Sequence, residues 1–160
     1  MLARFIRPSI LSAAILLMLL ISFADAFTLD MPGIQSNVDI YNSKVDNAPY
    51  LLKSLLGSEK INLIITRDDG SVFRVGMDVV SARIERTVEG GFSDPTIIMT
   101  TTQSAINEVV GSEDQIVAFQ NLMNEGQIRF EAKSWLAKAK LKAALSSTSV
   151  LQFGYGLFFS

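Results

Sequence analysis

The chain of 160 residues contains neither cysteine nor histidine. Without cysteine there are no disulfides, no thiolate metal ligands and no thiol nucleophile. Without histidine the chain also lacks the commonest general base and the commonest metal ligand of proteins. Few enzymes work without both residue types, so we predict no enzyme, with no catalytic residue, no metal site and no cofactor.

The charge balance excludes one class of partner. Lysine and arginine together number 14 against 16 aspartate and glutamate residues, which gives a net charge of −2, and the isoelectric point is about 5.1. Nucleic-acid-binding domains usually present a strong basic field. We therefore expect no nucleic-acid partner.

The first 26 residues have the pattern of an export signal. Arg4 and Arg7 form a positive end, Pro8–Phe23 is an uncharged apolar run, and Ala24-Asp25-Ala26 fits the small-x-small cleavage pattern. The run is shorter than the roughly 20 residues of a comfortable membrane span, but a tilted single-pass anchor remains an alternative. Residues 1–26 are thus predicted to form a hydrophobic helix that precedes the domain and is either a signal peptide or a membrane anchor. In both cases the positive-inside rule places the rest of the chain outside the cytoplasmic membrane.

The remaining chain divides by composition. Residues 27–41 show no periodicity and are predicted to form a linker. A domain over residues 42–147 begins with a predicted helix, Asn42–Leu56. Its regular part is predicted to start near Ala48, with Asn47 as the N-cap and Pro49 in the first turn, because proline is disfavoured inside a helix. Residues 148–160 are a phenylalanine-rich tail that is too apolar to lie free in water, so we expect it to find a partner.

Alternation of apolar and polar residues marks the strands. Asp69-Gly70 is the strongest hairpin signal and predicts antiparallel pairing of its flanks. A third strand follows in the same meander, ended by Gly90-Gly91. The predicted strands are Ile61–Arg67, Ser71–Met77, Val80–Val88, Pro95–Thr101 and Gln127–Ala132.

The stretch Asp94–Leu145 organises the chain as strand, helix, helix, strand, helix. Its first helix is predicted at Thr102–Val110. The second is opened by Ser112 through a capping box. The last, Trp135–Leu145, is opened by Ser134. Nothing in this stretch resembles a catalytic motif, which points to a container and not to an active site.

Five short runs within this stretch stand in an order that resembles a known family. They are D-P-T-I-I-M-T at 94–100, V-V-G at 109–111, A-F at 118–119, G-Q-I-R-F-E-A at 126–132 and L-A-K-A-K-L at 136–141. With the upstream meander, residues 42–147 resemble the sterol carrier protein 2 (SCP2) domain family. The whole chain resembles a prokaryotic stand-alone member with an added export or anchor segment.

This resemblance implies an α+β fold in which helices cover a five-stranded, mainly antiparallel sheet. It also implies an apolar tunnel, between sheet and helices, that binds lipids, sterols or fatty acyl chains. A lipid or fatty acyl ligand and a membrane are the partners to be expected from such a domain.

Large apolar side chains of the second helix, the fifth strand and the last helix are the candidates for a ligand pocket. The candidates are Phe119, Met123, Phe130, Trp135, Leu136 and Leu141. The alternative is that these side chains pack a solid core. The last helix favours a cavity because it carries two apolar stripes on opposite faces, whereas a surface helix needs only one.

Basic residues accompany the last helix and leave two interpretations open. Lys133, Lys138, Lys140 and Lys142, with Arg129, could contact anionic lipid headgroups. They are equally typical of a solvated helix exterior.

Two functions of different classes follow. The first is non-enzymatic binding or transfer of lipids or fatty acyl chains in an apolar cavity, outside or at the cytoplasmic membrane. The second is an accessory or structural SCP2-like subunit with a filled core, which binds a protein partner through the C-terminal tail and the last helix.

Overall fold

The computed structural model describes residues 29–55, 57–147 and 149. The predicted signal or anchor segment lies outside these residues, as does the tail apart from residue 149. No helix within the described part is long and apolar enough to span a bilayer. The elements in chain order are α1 (Met31–Lys44), a 3-10 turn (Val45–Asn47), α2 (Tyr50–Leu55), β1 (Ser58–Thr66), β2 (Val72–Val80), β3 (Arg83–Glu89), β4 (Ile97–Thr102), α3 (Gln103–Gly111), α4 (Gln115–Asn124), β5 (Arg129–Ala132) and α5 (Trp135–Ser146).

The five strands form one sheet in the order β3-β2-β1-β4-β5. Three of the four pairings are antiparallel, and β1 pairs with β4 in parallel. Asp69-Gly70 makes the predicted β1–β2 hairpin, with Gly70 at a φ of 83° that glycine adopts without strain. The predicted α+β fold with a five-stranded, mainly antiparallel sheet is therefore confirmed.

One face of the sheet carries the hydrophobic core. A row of side chains crosses this face through paired positions, from Val75 on β2 to Leu63 on β1, Met99 on β4 and Phe130 on β5. The first three are fully buried, whereas Phe130 is only partly buried against the core. Burial thus falls from the centre of the sheet towards β5.

The connection from β3 to β4 crosses the opposite face of the sheet. Phe92 lies so close to Gly76 that a Cβ there would be 2.7 Å from its ring. The Asn62 side chain accepts from the Phe92 amide at 2.8 Å and donates to its carbonyl at 2.8 Å. Lys60 Nζ and Arg86 Cζ lie 5.7 Å and 5.4 Å from the ring centroid, within cation–π range. Gly76 therefore leaves the space that this crossover needs.

The prediction of an irregular linker over residues 27–41 is wrong where the structure describes them, because α1 begins at Met31. Asp30 caps this helix by accepting a hydrogen bond from the Gly33 amide at 2.8 Å, and Pro32 sits in the first turn, where no amide donor is needed. Ile34 and Val38 bury their side chains in the core. The predicted helix Asn42–Leu56 is accordingly divided between the end of α1, the 3-10 turn and α2.

The third strand begins later than predicted. Ser81 and Ala82 were expected inside the strand, but they form the β2–β3 turn with φ angles of 50° and 67°. Both central residues of such a two-residue hairpin need positive φ, for which Asn-Gly is the usual sequence. Pairing resumes with Val80 opposite Arg83.

The cap of α4 also differs from the prediction. Asp114, and not Ser112, accepts a hydrogen bond from the amide of Val117, at 3.1 Å. The Ser112 hydroxyl instead bonds the backbone of Asp114, holding the residue before the helix in place. Ser134 caps α5 as predicted, accepting from the Ala137 amide at 3.0 Å.

Candidate functional site

Two of the predicted pocket residues lie on the inward face of α4. Phe119 and Met123 are four residues apart and so project from the same side of the helix. Phe119 is fully buried in the core, and Met123 is partly buried against it. Their neighbour Leu122 is also fully buried, so α4 is held firmly while Met123 stays partly open to solvent.

Phe130 reaches the same core from β5. It lies opposite Met99 and points to the core face with Ile128 and Ala132, as the alternation predicted. Ile128 is fully buried, but Phe130 and Ala132 are only half-buried. The structure therefore brings Phe119, Met123 and Phe130 together against one cluster whose outer members are accessible.

Trp135 and Leu136 lie in the first turn of α5 and are not brought into this cluster. Trp135 is 80% exposed and Leu136 is 50% exposed. The side chain of Leu141 lies outside the described part of the structure. The assignment of these three residues to a pocket stays a prediction.

An ion pair that the sequence interpretation missed fixes the orientation of α5. Lys140 Nζ donates to Glu59 Oε1 at 3.1 Å, and the Thr96 hydroxyl donates to Glu59 Oε2 at 2.6 Å. Glu59 is only 4% exposed and faces the core at the start of β1. A buried carboxylate is costly unless it is paired and hydrogen-bonded, and here both oxygens are satisfied.

The sequence held a signal for this pair. Glu59 is two residues before Ile61 and so falls on the same face as the apolar residues of β1. Lys140 lies apart from Lys138 and Lys142 around the helix, because residues two apart project in different directions. The predicted basic cluster is therefore divided: Lys140 is bound to the sheet, whereas Lys133 and Lys138 are exposed.

On the other side of the domain, polar clamps bind α1 to the turn before β3. The buried Tyr41 hydroxyl donates to the Ala82 carbonyl at 2.5 Å. The Asn42 amide group donates to the Ile84 carbonyl at 2.7 Å and accepts from its amide at 3.0 Å. Burial raises the pKa of Tyr41 far above its usual value, and the nearby Arg83 opposes this only in part.

Two open surface clefts are lined entirely by residues that the structure describes. The first, of about 570 Å³, lies between the start of α1 and the β1–β2 hairpin and includes Arg67 and Phe73. The second, of about 500 Å³, lies in the crease between α3 and α4. Neither is lined by any of the six predicted pocket residues. No group of three or more acidic side chains within the described part could hold a metal ion.

Neither a protein-family model nor a curated protein sequence matches the chain. Solved structures do match. The crystal structure of SCP2-like 2 from Aedes aegypti is 16% identical, with 68% of this chain and 93% of that chain covered and a TM-score of 0.44. SCP2 from Yarrowia lipolytica in its apo form is 14% identical, with 82% and 98% covered and a TM-score of 0.45.

A third match is a structure named UbiJ-SCP2 ubiquinone synthesis protein. It is 13% identical, with 72% of this chain and 91% of that chain covered and a TM-score of 0.46. All three carry the name of the SCP2 family, which is the family that the sequence pattern resembles.

Proposed function

We propose that this domain binds a lipid or fatty acyl chain without catalysing a reaction, and that it does so outside or at the cytoplasmic membrane. The observation that carries the proposal is the graded burial of the predicted pocket residues. Phe119 is sealed in the core, and Met123 and Phe130, which pack against the same core, are partly open to solvent. Apolar surface that continues from a core to the solvent marks a place where an apolar ligand can replace water.

The mechanism is burial. An acyl chain that leaves water gains about 0.8 kcal/mol for each CH₂ group that it buries. Met123 suits such a contact because its unbranched, flexible side chain adapts to different shapes. Phe130 lies on β5, which pairs with β4 alone among the described strands, so its side of the sheet has a single neighbour to hold it. These two residues are the ones that we expect to touch the ligand first.

The location is part of the proposal. The export-like pattern of residues 1–26 supports a domain on the outer side of the membrane. If the segment is retained as an anchor, it keeps the domain close to the bilayer and raises the local concentration of its ligand. Intact-mass measurement of the natively expressed protein distinguishes a cleaved signal from a retained anchor.

The test combines native mass spectrometry of the purified protein with titration of a fluorescent fatty acid. We expect co-purifying lipid in the wild type and loss of fatty-acid binding in Phe130→Asp, because a carboxylate there would face the acyl chain. Arg129→Asp is the matched control: it places the same group on the neighbouring, exposed position of β5, facing away from the core. It should bind as the wild type does.

Folding of each variant is checked by circular dichroism. Met123→Asp, on a different element, is the second variant should Phe130→Asp not fold. Unchanged fatty-acid binding in a folded variant of either kind would show that the pocket is placed wrongly. A wild type that carries no lipid, ignores fatty acids and captures one specific protein would favour the accessory-subunit alternative instead.

A further inference from the structure

The outward face of α5 carries an apolar stripe that nothing in the described structure covers. Trp135, Ala139 and Ala143 follow one another at intervals of four residues and so form one line along the helix. All three are exposed, and Trp135 is 80% exposed. We refer to these three residues as the α5 stripe.

The helix is held so that it cannot turn this stripe inward. Ala137, on the opposite side of α5, is buried. Lys140, beside Ala137 on that inner face, is bound to the buried Glu59 at 3.1 Å. Rotating the α5 stripe towards the sheet would pull Lys140 away and leave the Glu59 carboxylate buried without its cation, which is strongly unfavourable. The exposure of the stripe is therefore built into the fold.

Positive charge surrounds the α5 stripe although the chain as a whole is acidic. Residues 133–142 contain four lysines and no acidic residue, in a chain of net charge −2. Lys133 and Lys138 are exposed. Of the four lysines, Lys140 points inward to the carboxylate of Glu59. The solvent side of this segment is thus basic and complementary to an anionic surface.

We propose that the α5 stripe docks on the surface of an anionic lipid bilayer. An exposed apolar stripe with lysines beside it is a feature of helices that lie shallowly in the membrane interface. The indole of Trp135 suits the headgroup boundary because it combines an apolar ring with an N–H donor. Lys133 and Lys138 would meet lipid phosphates. This docking goes beyond the proposed acyl-chain pocket, and either can hold without the other.

Trp135 is the only tryptophan of the chain, so its fluorescence reports on this face alone. The full-length protein is mixed with vesicles of phosphatidylglycerol and phosphatidylcholine in equal parts, or of phosphatidylcholine only. We expect a blue shift of the emission, and quenching by lipids brominated on the acyl chain, with the anionic vesicles. The effect should weaken at high ionic strength, because the attraction between exposed charges is screened.

Two substitutions test the chemistry while leaving the reporter in place. Lys138→Glu replaces an attraction with a repulsion, so the vesicle concentration needed for half of the blue shift should rise about tenfold or more. Arg74→Glu reverses the same charge at an exposed position of β2 and is the matched control. It should leave that concentration unchanged. Ala139→Asp, within the stripe, should abolish the quenching.

The local reporter separates this docking from any insertion of residues 1–26. A protein that sediments with the vesicles while the Trp135 emission stays that of an exposed indole would overturn the proposal. A blue shift without vesicles that rises with protein concentration would also overturn it, because the stripe would then bind a second copy of the chain. Fatty-acid titration in the absence of vesicles tests the pocket separately.

Discussion

The two halves of the domain, one at each edge of the sheet, are held in different ways. On the α1 side, formed by α1 and β1–β3, the core residues of β2 are at most 5% exposed. Hydrogen bonds from Tyr41 and Asn42 bind α1 to the β2–β3 turn and to β3. On the α5 side, formed by β5, α5 and the end of α4, Phe130 and Met123 are partly open, and Trp135 faces solvent. The difference indicates that the α1 side forms a closed frame, whereas on the α5 side part of the core is open to solvent.

A cavity on the α1 side should have the largest effect on stability. Leu63→Ala removes a fully buried side chain from the middle of the sheet, so the free energy of unfolding should fall by about 2–5 kcal/mol. Met123→Ala, on the α5 side, should cost clearly less because Met123 is already partly in contact with water. Urea denaturation measures both values. Equal losses would show that the two sides are packed alike.

The second-largest expected effect concerns the ion pair between Lys140 and Glu59, which binds α5 to β1. Lys140→Met leaves the Glu59 carboxylate buried without its cation and should cost about 1–3 kcal/mol. Glu59→Gln leaves Lys140, whose side chain is 28% exposed, able to turn to water and should cost less. Thermal and urea unfolding of the two single variants measure this order. If Glu59→Gln proved the more damaging, the pair would act mainly through Lys140.

The smallest expected effect concerns Tyr41, whose hydroxyl binds α1 to the β2–β3 turn. It appears only in alkaline solution. Burial raises the folded-state pKa of Tyr41 above the value of about 10 that tyrosine has in an unfolded chain. The unfolded state therefore loses this proton first. The stability linked to Tyr41 is complete below pH about 10 and falls as the pH rises further towards the folded-state pKa, by at most about 1.4 kcal/mol per pH unit.

Unfolding free energies measured across this range for the wild type and Tyr41→Phe test that expectation. The variant should lose the alkaline decline that the wild type shows above pH about 10. Tyr50→Phe, which removes a hydroxyl from a side chain that is 84% exposed, is the control and should keep the wild-type decline. An identical decline in all three proteins would mean that Tyr41 does not cause it.

Local patterns were sufficient to predict most of the sheet. Asp69-Gly70 determines its hairpin through the backbone freedom of two residues, and alternation along β1 and β5 assigns their faces without any knowledge of their neighbours. The cap of α5 at Ser134 is likewise a local hydrogen bond. Such features depend on residues close in sequence, so they can be predicted from sequence alone.

Helix α1 was missed because its inward face is not purely apolar. Ile34, Asn37, Val38 and Tyr41 have the spacing of a helical face, but the polar Asn37 and the hydroxyl of Tyr41 obscured it. Asp30 followed by Pro32 was the available signal for the start of a helix. The turn at Ser81 was missed for a different reason: its positive φ is imposed by the pairing of β2 with β3, and non-glycine residues give no local warning of it.

The orientation of α5 at the candidate site could not be predicted from local sequence patterns. The two stripes of α5 were visible in the sequence, but which stripe faces the sheet depends on Glu59, a residue 81 positions away from Lys140. That pairing places Ala137 inward and Trp135 outward. Phe119 and Phe130 are predicted on inward faces, and the structure places them there. The ligand pocket between them stays a prediction.

The ion pair between Glu59 and Lys140 has a consequence during synthesis of the chain. Glu59 leaves the ribosome long before Lys140 does, so the strand that carries it cannot close its part of the interior until nearly the whole domain has been made. Until then this carboxylate favours contact with water over burial. A ribosome-bound chain that ends before residue 140 should accordingly stay open at this end of the sheet, and release of the last helix would complete the fold.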